Sequence, residues 1–122
     1  MVDIDKPEHS ALQVANSETG IIQKSVKGIW LSDMTQAFGK VPLAYNWYGC
    51  NCAMISAHKI GGPKGIGALI LKRGTDLPAL IKGGGQEMGR RSGTENVLGI
   101  AGFAAAAEAA QKDLVEGEWE KI

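Results

Sequence analysis

The chain has 122 residues, room for one small domain, and its 44% hydrophobic content with 17 glycines suits an α/β protein. Thirteen basic and thirteen acidic residues balance, which excludes charge-driven attraction to nucleic acid or an anionic membrane. The longest apolar stretches, 66–71 and 102–107, fall far short of the roughly 20 residues that cross a bilayer as a helix. The opening Met1-Val2-Asp3-Ile4-Asp5-Lys6-Pro7-Glu8 is acidic and has no apolar signal-peptide core, so a cytoplasmic location is expected.

A polar segment, 1–10, precedes the folded part, 11–115, and a tail, 116–122, follows it. Short apolar runs predict strands over 11–15, 29–33, 50–55 and 66–71. Parallel neighbours need a crossover of about a dozen residues or more, usually helical. Between Gln23 and Asp33 the chain is shorter than that and carries Lys24, Lys27 and Gly28 with little amphipathic pattern, so it reads as a shortened loop that endangers the local strand order. The connection 42–49 holds Tyr45, Trp47 and Tyr48, read as packing residues rather than a stacking platform. Cys50 and Cys52, two apart on a buried strand, read as small hydrophobes in a reducing compartment. With only His9 and His58 besides, their spacing does not suggest a zinc site.

The third strand runs into Ser56-Ala57-His58-Lys59, and a Gly/Pro-rich run then forces a tight turn before the fourth strand. A lysine at a strand end, walled by apolar groups, is disfavoured as a cation and becomes nucleophilic, as Schiff-base chemistry requires. The second strand ends in Asp33, with Gln36 three residues on. Such a carboxylate can hold a pyridine nitrogen protonated, and the amide can bond a phenolic oxygen; equally, an Asp there can cap its own turn. The stretch 83–96 leads into an Ala-rich helix, 95–115, whose small face suits close packing on a sheet. Ser92 and Glu95 form a capping box at its start, where amides beside Arg91 and Thr94 offer an anion site. Gly117 ends or frays the helix, leaving Trp119 near the C-terminus.

In order along the chain, Ala15-Asn16-Ser17-Glu18-Thr19-Gly20, Asp33-Met34-Thr35-Gln36-Ala37-Phe38-Gly39-Lys40, Ser56-Ala57-His58-Lys59 and Arg91-Ser92-Gly93-Thr94-Glu95-Asn96 resemble the pyridoxal phosphate (PLP)-dependent cysteine desulfurases. These belong to the class V aminotransferase-like group, in the branch serving iron–sulfur cluster assembly. The resemblance implies a partial PLP-dependent transferase fold: a large-domain fragment with a mostly parallel sheet and a flanking helix. It implies Lys59 as the Schiff-base and proton-transfer lysine, Asp33 at the pyridine nitrogen, Gln36 at the phenolic oxygen, and Ser56 with His58 at the phosphate. Thr94 would reach the phosphate in a neighbouring subunit, making the site shared across a homodimer. The family reaction converts L-cysteine to L-alanine and passes sulfur to an acceptor or cluster scaffold.

Departures accompany the matches. Ser17 stands where the family usually carries a second cofactor-contacting asparagine, and offers a shorter group with no amide. Lys82 and Met88 replace a common histidine and arginine. The ring-stacking histidine, the upstream phosphate loop, the substrate-carboxylate arginine, the persulfide-forming cysteine loop and the small domain have no counterpart in these residues, so full activity is not expected of the chain alone. Another class V PLP enzyme, such as an aminotransferase or a selenocysteine lyase, would share these motifs, and a non-catalytic relic would retain them. A phosphate-binding module is the rival from another class, on the run Gly62-Pro63-Lys64-Gly65-Ile66-Gly67. That run lacks the Gly-x-x-x-x-Gly-Lys-Ser/Thr spacing and precedes a strand rather than a helix.

Overall fold

A computed structural model describes residues 3–117. Four strands, β1 (Ala11–Gln13), β2 (Leu31–Asp33), β3 (Cys52–Ser56) and β4 (Gly67–Leu71), form one sheet in sequence order. β1, β2 and β3 run parallel, and β4 returns antiparallel on β3. A helical turn, α1 (Tyr45–Tyr48), and one long helix, α2 (Val97–Val115), complete the regular structure with short 3-10 turns.

Strand alternation sorts the side chains onto two faces. Leu12, Ser32, Ala53 and Ile70 lie in register across one row, and Gln13, Asp33, Met54 and Leu69 across the next, on the opposite face. The first row meets the core, which gathers Val14, Ile29, Met34, Ala37, Tyr48, Cys50 and Ala53, with Leu12, Ile55 and Ile70 packed against it. Ile29 and Met34 are the largest apolar side chains fully withdrawn from water. Each contributes about 1.5–3 kcal/mol by burial. The second row is thinly covered, and Leu69 on it is 52% exposed.

The short connection 14–30 does not disturb the strand order, contrary to the expectation from its length. Its first half folds on itself: Asn16 N donates to Ile21 O, Gln23 N to Val14 O, and Ala15 bridges Ile22 antiparallel. Asn16 Oδ1 accepts from Glu18 N and Thr19 N, and Gly20 turns the chain at φ +70°. The remaining residues need only return past a strand that is about 10 Å long at 3.3 Å per residue, which a few extended residues accomplish without a helix. The return is held by Gly28 N to Gly49 O, Trp30 N to Pro7 O and Leu31 N to Ser10 O, so the polar N-terminal segment anchors β2.

α2 begins later than its capping-box pattern predicts. The cap is Asn96, whose Oδ1 accepts from Gly99 N at 3.0 Å, and Ser92 and Glu95 lie ahead of it without forming the box. Asn competes well as an N-cap, and the Gly93 kink at φ +101° carries the chain away from helical geometry before Glu95. The last turn ends as predicted, at Glu116 with Gly117 at φ +69°. Trp119 lies outside the described residues.

The small face of α2 packs on the connections at the strand ends, where the sequence predicts a sheet. A Cβ on Gly39 would fall 2.7 Å from Ala110 Cβ, one on Gly62 3.2 Å from Ala106 Cβ, and one on Gly102 2.7 Å from Pro63 Cγ. Val97, Leu98 and Val115, on other sides of the helix, are exposed.

Candidate active site

In a parallel sheet, ligands bind outside the carboxyl ends of the strands. Asp33 is the last residue of β2 and Ser56 the last of β3, with Asp33 paired to Met54, so both end at one edge of the sheet. Met54 and Ser56 are two apart and share a face, which is also the face of Asp33. Ser17 stands on the exposed turn beyond β1 at the same edge, its Oγ donating to Glu18 Oε1 at 3.3 Å.

Asp33 caps its own turn and keeps one oxygen free. Its Oδ1 accepts from Thr35 N at 2.9 Å, the local turn bond, and no described donor engages Oδ2. Gln36 sits on the turn that follows, half-buried, and its amide has no hydrogen bond among the described residues.

Beyond β3 the chain winds into a 3-10 turn, Ala57–Ile60, closed by Gly61 at φ +82°. Ala57 is fully buried and pins the turn, which turns His58 and Lys59 outward. Ser56 Oγ and His58 Nδ1 are 2.9 Å apart, giving a hydroxyl–imidazole pair suited to an anion. Lys59 is exposed, which corrects the expectation of apolar walls all around it: one short turn carries it past the end of the sheet, and apolar residues flank it on one side only.

Lys59 lines one side of a cleft of about 210 Å³ with Gly39, Lys40, Ile60, Gly61, Ala109, Ala110 and Asp113. Burial, and then the charge of Lys59, push the Lys40 ammonium below its usual range. Neither Lys40 nor Asp113 stood out in the sequence as a site residue, because residues 40, 59 and 113 meet only when α2 docks.

Thr94 lies apart from this group. It is exposed, two residues before the Asn96 cap, while the cleft touches α2 at Ala109, Ala110 and Asp113. At 1.5 Å per residue the start of α2 is about 20 Å from that contact. The loop before it is tied internally: Gln86 Oε1 accepts from Gly93 N, and Arg91 bonds Ser92 O, Gly93 O and Glu87 Oε1. Cys50 and Cys52 are buried free thiols whose pKa values burial raises. Of the aromatic residues in 42–49, Tyr48 packs in the core and Tyr45 Oη donates to Asn51 O, whereas Trp47 is 89% exposed. No helix among the described residues is long and apolar enough to cross a membrane.

The donor set at the strand ends matches the polar periphery of PLP. A carboxylate with a spare oxygen, an unpaired amide, a hydroxyl–imidazole pair and a primary amine follow one another along a single edge.

Comparison with known proteins places the chain in a family. The model of the aminotransferase class-V family matches residues 10–121. A cysteine desulfurase of Sinorhizobium fredii is 48% identical over 105 residues, covering 79% of this chain and 27% of that protein. One from Frankia is 41% identical over 117 residues, covering 87% and 28%. The chain therefore spans less than a third of the length of these curated relatives. Among solved structures, a NifS-like protein from Rickettsia africae superposes with a TM-score of 0.81 at 38% identity, over 87% of this chain and 32% of that one. SspA in complex with cysteine superposes with a TM-score of 0.74 at 32% identity, over 92% and 36%. The family-model match, the homology and the shared fold establish that the chain belongs to the aminotransferase class-V family.

Proposed function

We propose that this chain is the central part of the PLP-binding domain of a cysteine desulfurase, with the cofactor seated at the carboxyl edge of β1, β2 and β3. The observation that carries the reading is the alignment of Asp33 with the Ser56, His58 and Lys59 turn at the ends of adjacent parallel strands. Bound there, PLP would supply an electron sink for charge developing at the substrate α-carbon. The spare oxygen of Asp33 would accept a hydrogen bond from the ring nitrogen and hold its proton. The Gln36 amide orients the ring at its phenolic oxygen. Ser56 Oγ and His58 share the phosphate, and the Ser17 hydroxyl takes a contact that an asparagine makes elsewhere in the family. Lys59 Nζ would hold the cofactor, and its amine would move the proton of the substrate α-carbon.

The substrate we assign is L-cysteine, supported by the curated relatives and by the cysteine complex of SspA. The sulfur acceptor is a cluster scaffold protein or a similar acceptor. The separation of about 20 Å between the start of α2 and the Lys59 cleft supports a shared site, in which Thr94 serves the phosphate of a second subunit in a homodimer. Neither Cys50 nor Cys52 can act as the sulfur-accepting nucleophile, because each is buried with its thiol pKa raised. The proposed reaction therefore takes its thiolate from a cysteine other than these two.

The test is a PLP titration followed by borohydride reduction and peptide mapping. A visible absorbance band, with label fixed mainly on Lys59, is the expected result. Label spread evenly over Lys59, Lys64, Lys72 and Lys82 would show ordinary surface amines reacting and would overturn the assignment.

A further inference from the structure

Lys40 is the feature the proposed chemistry does not use. It follows Gly39, which is wedged between Ile60 and Ala110: a Cβ there would lie 3.3 Å from Ile60 Cγ2 and 2.7 Å from Ala110 Cβ. That wedge fixes where the Lys40 side chain starts, and α2 closes the cleft over it. The walls beside it are Ile60, Ala109 and Ala110, and the other cation in the cleft is Lys59. The ion pairs of the described residues are Glu87–Arg91 and Lys112–Glu116, so no described carboxylate lies within 4.0 Å of Lys40 or Lys59. Among the described residues, Asp113 on α2 is the acidic one lining the cleft, beyond ion-pair distance.

We propose that Lys40 is a second carbonyl-reactive amine, which shares the Lys59 cleft and condenses with small aldehydes. A half-buried ammonium that shares a cleft with a second ammonium, and has no described ion-pair partner, loses the solvation that favours its charged form; a larger fraction is then free amine at neutral pH. The direction in which burial and Lys59 move Lys40 agrees with this. The reaction is a condensation without oxidation. The amine lone pair attacks the carbonyl carbon, a C=N bond replaces C=O, and the carbonyl oxygen leaves as water with the two amine hydrogens. The cleft, at about 210 Å³, admits an aldehyde of a few carbons. The exposed Lys24, Lys64 and Lys72 have no such surroundings and serve as internal references.

The experiment is reductive alkylation of the purified chain with propionaldehyde and cyanoborohydride over a pH series, read lysine by lysine by peptide mapping. Propionaldehyde needs no cofactor pocket, so failure of PLP binding at Lys59 leaves the measurement intact. The expected result is an alkylation midpoint for Lys40 below those of Lys64 and Lys72, with severalfold more label at neutral pH. Lys59→Met removes the facing cation and should move the Lys40 midpoint upward. Asp113→Asn removes the opposing charge and should move it downward, which keeps a second variant in hand if Lys59→Met folds poorly. A Lys40 midpoint equal to the reference lysines, or one indifferent to both substitutions, overturns the proposal, as does absence of label on Lys40 at every pH.

Discussion

Gly39→Ala tests how α2 is held against the strand ends. Gly39 lies at φ +74°, where an L side chain costs about 1–2 kcal/mol. Its new Cβ would also stand 2.7 Å from Ala110 Cβ and 3.3 Å from Ile60 Cγ2, an overpacking that costs about 1–3 kcal/mol. The two effects together predict a loss of about 2–5 kcal/mol, a large share of the stability of a small domain. Urea unfolding followed by circular dichroism measures it. The double variant with Ala110→Gly separates the terms, because deleting the Ala110 methyl relieves the clash with the helix and leaves the backbone strain. Recovery of part, but not all, of the loss is expected, with a coupling of about 1 kcal/mol or more. A single-variant loss under about 0.5 kcal/mol would refute the close docking of α2, and with it the cleft that α2 closes.

Asp33→Ala should weaken PLP binding and shift the visible band more than Gln36→Ala does, since a carboxylate governs the ring-nitrogen proton; equal or reversed effects in a PLP titration would mean another ring orientation. Saturated with PLP, the chain should release sulfide from L-cysteine only at the rate of free PLP, and sustained turnover abolished by Cys50→Ser or Cys52→Ser would overturn the buried placement of those thiols. Burial raises both thiol pKa values, so the unfolded chain loses these protons first; stability is full below the ordinary thiol range and falls as pH rises through it. Urea midpoints between neutral and alkaline pH should show that fall, and Cys50→Ala with Cys52→Ala should flatten it. Ser32 Oγ and the Tyr48 hydroxyl are buried and approach each other without reaching hydrogen-bond geometry. Ser32→Ala should therefore cost less than about 1 kcal/mol in the same assay, and a larger loss would show that the two are bonded in solution.

Local chemistry alone determined much of this protein. Apolar runs located all four strands to within a few residues, because each run must leave water and the Gly and Pro between them break it. Asp33 with Gln36, and Ser56 with His58 and Lys59, were legible because each set sits within one turn of chain at a strand end. The buried thiol at Cys52 followed from strand membership, Cys50 is buried in the core just ahead of the strand the sequence placed it on, and the C-terminal end of α2 followed from Gly117.

What the tertiary structure decided depends on contacts between residues distant in the chain. β1 and β2 stay neighbours because a hairpin and an extended return close the 14–30 connection, and hydrogen bonds from Trp30 and Leu31 to the N-terminal segment seal it. α2 docks on Gly39, Gly62 and Pro63 instead of the sheet, where its Gly102, Ala106 and Ala110 stripe approaches the backbone closely. Lys59 is exposed where its neighbours in sequence suggested apolar walls, because a wall is built from whichever segments pack nearby and here α2 flanks it on one side only. Lys40 and Asp113 joined it in one cleft for the same reason: composition and spacing encode what a residue is, and only the packing of α2 against the strand ends sets which charges face each other.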